Sequence, residues 1–545
     1  PDAPPLLTVN MPIGLRFREK AADINSLATL ATPGNLTLQA GNLNLSGSLI
    51  SRGDITLEAL DTLTIRDSVV SPFTAAAGGN LSLMGNQGVD IYVLNHPLSG
   101  IIAGKDLTLR SANAVIGDAH YWSGGNFRIE NMDSSPGNLI SIQDPIIRTG
   151  GDVLIGAYQG TSLHIIAGGK VEIPRLISIT GADPQFGLVE TITLANGQEI
   201  LIDGKNKPTL DIRAGVSPEF IGVPLLEGSG NFLSLNFRPM PPTSADINVG
   251  TIIFRNAQDL KEKITGDVLL TNQYQPNPKL QGSITVNPSQ PLLGAIETGS
   301  GDNGGRVSID SQRNVNINGN ILARSSKLGG EVTINSADKV NITDSSINVS
   351  AGGGGNINIT TKNLSMGQGS AILAGIDNGL GSSTAKAGNI NINSTGDLII
   401  SSARISNKLN TNATGIGGNI TIKAHDITIT GATSDSLGGR EGAEINTSVD
   451  KDARGIGGDI KITADGELTL GNYILIDSSL GSNATGRGGD IEITASSLSF
   501  NVGAGLTAST NGKRQLDSNE LTGNGGNIKI TVTGKATLAS DSYIV

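Results

Sequence analysis

The stretch Gly417-Gly418-Asn419-Ile420-Thr421-Ile422 returns as Gly457-Gly458-Asp459-Ile460-Lys461-Ile462 and as Gly488-Gly489-Asp490-Ile491-Glu492-Ile493. Eight copies of this phrase occupy residues 304–545, each a small pair, a polar residue, then two β-branched residues with one polar residue between them. The second small residues are Gly305, Gly330, Gly355, Gly388, Gly418, Gly458, Gly489 and Gly526, spaced 25 to 40 residues apart. A repeat of that length cannot bury an apolar face alone and must stack on its neighbours. Alternation of Ile with Thr, Asn, Lys or Glu is the period-2 pattern of a strand with one buried face. A second short run follows each copy, as at Val315/Ile317 and Ile427/Ile429, and often a third, as at Ile347–Val349 and Ile474–Ile476. The expected fold is therefore all-β: a right-handed parallel β-helix (solenoid) with an irregular central insert, the hand following from chain chirality.

Outward from that stretch the pattern loosens. Residues 31–170 carry the same opening at Gly34-Asn35-Leu36, Gly53-Asp54-Ile55, Gly79-Asn80-Leu81 and Gly151-Asp152-Val153, with Leu often replacing Ile. They read as a first β-helical stack. Residues 171–291 hold 12 of the 21 prolines and lose the repeat, whereas residues 292–545 have none and form the second, regular stack. Proline cannot donate to a strand ladder, which separates an irregular middle, with a helical turn expected at Ala257–Lys263, from the uninterrupted stack. Residues 1–30 read as an N-terminal strand, Leu6 to Leu15, and a connector. The start at Pro1-Asp2-Ala3-Pro4 and the end inside a strand-like run read as the cut ends of a fragment.

Composition narrows the function. The chain has 545 residues, 74 of them Gly, with 3% aromatics, so a thin interior of Ile, Val, Leu and Ala extended along one axis is the only core it can build. A formal net charge of −11 without a basic patch argues against nucleic acid, and no apolar run reaches the length of a transmembrane segment. There is no Cys, hence no disulfide or thiolate site.

The four histidines, His96, His120, His164 and His425, show no metal-ligand spacing and read as structural or surface residues. Asp302, Asp450 and Asp452 lie in polar loops where Ca²⁺ is conceivable, yet the calcium-binding nonapeptide repeat is missing. Arg52-Gly53-Asp54 has the integrin-ligand form but is also simply a strand opening. No column of the aligned repeats accumulates the paired carboxylates a glycosidase needs, and the mixed column Ser308, Thr333, Asn358, Asn391, Thr421, Lys461, Glu492, Lys529 is unlike a flat ice-binding array. Within it, Lys461, Glu492 and Lys529 should alternate in charge on one exposed face. No residue is assigned to catalysis, a cofactor or a metal, and no ligand-binding residue is named. Added length before the Gly pair, at 375–387, 407–417 and 511–525, and a further insert at 434–456, should place variable loops along one edge, where repeat proteins bind.

The segments Leu6–Leu15 and Leu269–Asn277, together with the Gly-Gly-Asn-Ile repeats, resemble the filamentous-haemagglutinin-like exoproteins of two-partner secretion systems, especially the cyanobacterial type. That resemblance covers most of the chain and implies export by an outer-membrane transporter, a secreted or outer-cell-surface location, and adhesion to a cell-surface or matrix polysaccharide or protein. The family's N-terminal secretion domain is not found. The expected function is non-enzymatic adhesion through loops on one edge; the alternatives are a polysaccharide lyase or hydrolase on the same scaffold and a passive spacer or fibre subunit.

Overall fold

The computed structural model describes residues 21–222, 242–288, 294–431, 442–511 and 523–545, and its architecture is a parallel β-helix. The chain divides into two compact units, residues 1–247 with 273–281 and residues 248–272 with 282–545. Leu6–Leu15 lies outside the described residues.

In the first unit each coil contributes three short strands, and each strand pairs in parallel with its equivalent one coil later. The middle ladder runs Leu36–Ala40, Ile55–Ala59, Leu81–Gly85, Leu107–Ser111, Phe127–Glu130, Val153–Leu154, Val171–Ile173. Its inward residues Leu36, Ile55, Leu81, Leu107, Phe127, Val153 and Val171 stand in register and are buried. Alternation along each strand is what makes this possible, because a slip of one residue would turn the whole apolar set outward.

The second unit repeats the scheme on the eight phrases. Val307, Val332, Ile357, Ile390, Ile420, Ile460 and Ile491 pair one above another and are all buried, as are their partners two places on. Ile528 and Ile530, in the last coil described, are half-buried. The outward column is also in register from Ser308 to Lys529. Lys461 Nζ lies 2.9 Å and Lys529 Nζ 3.3 Å from the Glu492 carboxylate, which the two lysines hold below the usual range. Ser308 departs from the expected exposure: it is buried, and exposure begins at Thr333.

The Gly-Gly-Asx corner explains why the phrase recurs. The Asn or Asp after the small pair accepts, through Oδ1, the backbone N–H of its counterpart one coil later: Asn356 from Asn389 at 2.8 Å, Asn389 from Asn419 at 2.9 Å, Asn419 from Asp459 at 2.9 Å, Asp459 from Asp490 at 2.8 Å, Asp490 from Asn527 at 2.8 Å. The first unit has the same ladder through Asn35, Asp54, Asn80, Asp106, Asn126 and Asp152. Glycine precedes it because the coils approach too closely for a side chain. A Cβ at Gly418 would collide with the Gly388 carbonyl oxygen, and one at Gly79 with the Asp54 carboxylate.

Two central features differ from expectation or refine it. Ala257–Lys263 forms turns rather than a helix, since Asn256 and Asp259 draw the N–H groups of Gln258 and Lys261 onto their side chains at 2.9 Å, the local competition that disfavours helix. Within residues 171–291, strands such as Val171–Ile173, Ile177–Ile179 and Thr209–Arg213 continue the ladders of the first unit. Among the described residues they are interrupted by an antiparallel hairpin, Val189–Thr193 with Glu199–Asp203, and by a 3-10 turn at Pro218–Phe220.

Ile462 is fully buried and Thr421 stands outward beside Lys461. Ile462→Asp should cost about 4 kcal/mol or more and lower the denaturation midpoint of the second unit, whereas Thr421→Asp should change stability by less than about 1 kcal/mol; equal sensitivity in chemical denaturation would refute this facing.

Candidate functional site

The variable segments ahead of the Gly pairs do not hang free. Gly381–Lys386, Thr414–Ile416, Arg454–Ile456, Thr485–Arg487 and Gly523–Asn524 pair as a fourth parallel ladder in the second unit. Each of the central three is set by the same short sequence. A tight turn closes Ala413 N–H onto the Asn410 carbonyl at 2.9 Å, Ala453 onto Asp450 at 3.1 Å and Ala484 onto Gly481 at 3.2 Å. The third turn residue is Asn412, Asp452 or Asn483, each with φ near +60°, a conformation that Asn and Asp tolerate better than most residues. The apolar residues flanking the turn, Leu409, Val449 and Leu480 with Ala413, Ala453 and Ala484, pack with Ile376 into a small core of their own. The sequence places added length on this edge, and the structure makes it a rigid strip; most of 511–525 and the first part of 434–456 lie outside the described residues.

The strip presents Lys386, Arg454, Ile456 and Arg487 outward. Arg487 is bound by Asp490 at 2.6 Å, while Lys386 and Arg454 have no ion-pair partner among the described residues. Beside its first strand lies an open groove of about 590 Å³, lined by Ser326, Lys327 and Leu328, the glycines 352–354, and Gly381, Ser382, Thr384, Ala385 and Lys386. Hydroxyls, backbone and Lys386 line this groove, whose other lysine, Lys327, is paired with Asp302; its open form suits a chain rather than an enclosed small molecule.

The loop aspartates are not brought together. Asp302 pairs with Lys327 at 2.6 Å, Asp450 with Lys408 at 3.0 Å, and Asp452 is 3.9 Å from Lys451. Among the described residues no group of three or more His, Asp or Glu is placed to hold a metal ion. Asp54 of the Arg-Gly-Asp tripeptide is a member of the corner ladder, bonded to Asn80 N–H at 2.7 Å. His425 is an exposed corner residue between two strands, and His96 Nδ1 accepts the Leu98 N–H at 3.2 Å within its own loop.

His164 is different. In the first unit it faces outward from its strand but is fully buried, in a pocket of charge closed by the hairpin region. Nδ1 lies 3.2 Å from Asp211 Oδ2, and Nε2 lies 3.1 Å from Asp144 Oδ2, an ion-pair contact without hydrogen-bond alignment. Arg213 grips Asp211 through Nε at 3.0 Å and Nη2 at 2.6 Å, also contacts Glu190 of the hairpin, and stacks on Tyr274 at 4.7 Å. Asp144 further accepts the Leu188 N–H at 2.9 Å. Burial opposes a charge on His164, but Asp144 and Asp211 outweigh it and raise its pKa to about 9. Burial likewise favours a neutral Asp211, yet Arg213 and His164 bring it to about 2. The side chains of His164, Asp144 and Asp211 are fully buried, and through Glu190 and Leu188 the cluster fastens the hairpin region to the stack.

No protein-family model, curated protein or solved structure matches the chain. The site is therefore read from its own geometry.

A folded-state pKa raised from 6.5 to about 9 means His164 contributes stability that is complete below pH 6.5 and lost as pH rises through about 9. Wild type should weaken over that window in urea titrations of the first unit, and His164→Ala should cost about 3 kcal/mol at pH 6 while flattening the alkaline slope. An unchanged slope would sink the assignment. For the strip, Val449→Asp should lower the melting temperature by placing a charge in its small core, but Arg454→Gln should leave it within experimental error.

Proposed function

We propose that the protein is a non-enzymatic, secreted or cell-surface β-helical exoprotein that adheres to a polysaccharide or protein of cells or extracellular matrix. The observation that carries this reading is the fourth ladder: repeated sequence forms a hydrogen-bonded strip with its own core, presenting side chains at the coil spacing of about 4.8 Å, next to an open groove with Lys386. Equivalent positions on successive coils bind as an array, so weak contacts with a polymer gain avidity through effective concentration. The resemblance to filamentous-haemagglutinin-like exoproteins supports the same reading and adds a route, export through an outer-membrane transporter.

The test is depletion of the purified chain from solution by insoluble acidic and neutral polysaccharides and by whole cells, with the supernatant assayed for released reducing ends and unsaturated sugars. Retention without release is expected. Combined Lys386→Glu and Arg454→Glu should reduce retention on acidic supports severalfold. Sugar release would replace adhesion with a lyase or hydrolase, and retention on no support would favour a spacer.

A further inference from the structure

The outer face of the first unit carries residues that an exposed sheet surface does not need. Ile102, Trp122 and Arg148 stand in one outward column, and Gly100, His120 and Ile146 in the next. Gly100 contributes no side chain, which leaves a hollow beside Trp122. The opposite wall is the loop Pro97-Leu98-Ser99, held in place by one carboxylate: Asp67 accepts the Asn95 side-chain amide at 2.9 Å, the His96 N–H at 2.9 Å and the Ser99 hydroxyl at 2.7 Å. The result is a cavity of about 240 Å³ with walls of Pro97, Leu98, Ile102, Trp122 and Ile146.

One charge enters it. Arg148 is half-buried, and its guanidinium donates to the Ile221 carbonyl at 3.0 Å without an ion-pair partner among the described residues. No lining residue is acidic. The carboxylates whose charge acts on Arg148, Glu190 and Asp211, are both engaged by Arg213. A guanidinium leaves several N–H donors in a planar fork suited to a carboxylate, and partial burial strengthens that pairing relative to open solvent. The Trp122 indole is fixed by its Nε1–H bond to the Gly222 carbonyl at 3.1 Å, so the wall is already formed. The volume lies below the roughly 300–1,000 Å³ of sites for larger ligands, which limits the occupant to a single ring.

We propose that this cavity binds a small carboxylate carried on one six-membered ring, with Arg148 holding the carboxylate and the apolar walls holding the ring face. The site lies in the first unit, and the proposal is independent of adhesion through the second.

Trp122 is the sole tryptophan of the sequence, so its fluorescence reports on this wall directly. The full chain would be titrated with galacturonate and with cyclohexanecarboxylate, and with galactose and cyclohexanol as neutral counterparts. Saturation by at least one acid at about millimolar concentration is expected, with the neutral counterpart at least roughly tenfold weaker; the acid that binds more tightly identifies a sugar or an apolar ring as the natural class. Arg148→Gln should weaken that acid by a similar factor. Gly100→Leu, at an outward strand position where an added Cβ meets only ordinary contacts, should fill the hollow and abolish binding, and it decides the matter if Arg148→Gln fails to fold by circular dichroism. No saturation by either acid, equal binding of the neutral compounds, unchanged affinity in a folded Arg148→Gln, or retained binding in Gly100→Leu would each overturn the proposal.

Discussion

Everything in each unit depends on one requirement: the backbone of every coil must hydrogen-bond to the coils before and after it in unbroken parallel register. Parallel strands buried on their inner face have no alternative partners for their N–H and C=O groups. The corners must then turn without spoiling the spacing between coils. The Asx ladder answers this by supplying an acceptor where the chain turns, from Asn35 to Asp152 in the first unit and from Asn356 to Asp490 in the second. Glycine at the neighbouring position is required by the closeness of the approach, and at Gly355, with φ of +90°, by a left-handed backbone as well.

Once the stack is fixed, the outer faces are free to diverge. In the second unit they remain mostly polar, and the extra sequence goes into a fourth ladder with a separate apolar strip. In the first unit a hairpin covers part of the outer sheet face, and this cover turns what would be ordinary surface positions into the buried cluster of His164, Asp211 and Arg213. Desolvation makes such charges costly unless they are mutually satisfied. Bidentate Arg213–Asp211 pairing and the Asp211–His164 contact meet that condition, while Asp144 offsets the His164 charge through an ion-pair contact without hydrogen-bond alignment. Beyond the cover, the same face presents Trp122 and Arg148.

Several carboxylates of each unit are taken up by the stack itself. Asp54, Asp106, Asp152, Asp459 and Asp490 cap the next coil, while Asp302, Asp450 and Glu492 pair with lysines. A surface built by repetition lends itself to many weak contacts, which is the physical basis of the adhesion reading.

The sequence by itself determined the solenoid, the inward Ile columns and the Lys461–Glu492–Lys529 ladder, because a period-2 pattern locked to a recurring Gly-Gly-Asx corner leaves one register in which the apolar face is buried. It also located the edge where length varies. It did not reveal that this edge is itself a ladder, although Leu409, Val449 and Leu480, each four residues before an Ala, carried the signal. Nor did it reveal the His164 cluster or the Trp122 cavity. His164 and Asp211 are 47 residues apart, and Trp122 and Arg148 are 26 apart; only the stacking of coils makes them neighbours, and only tertiary cover decides which outward side chains lose water.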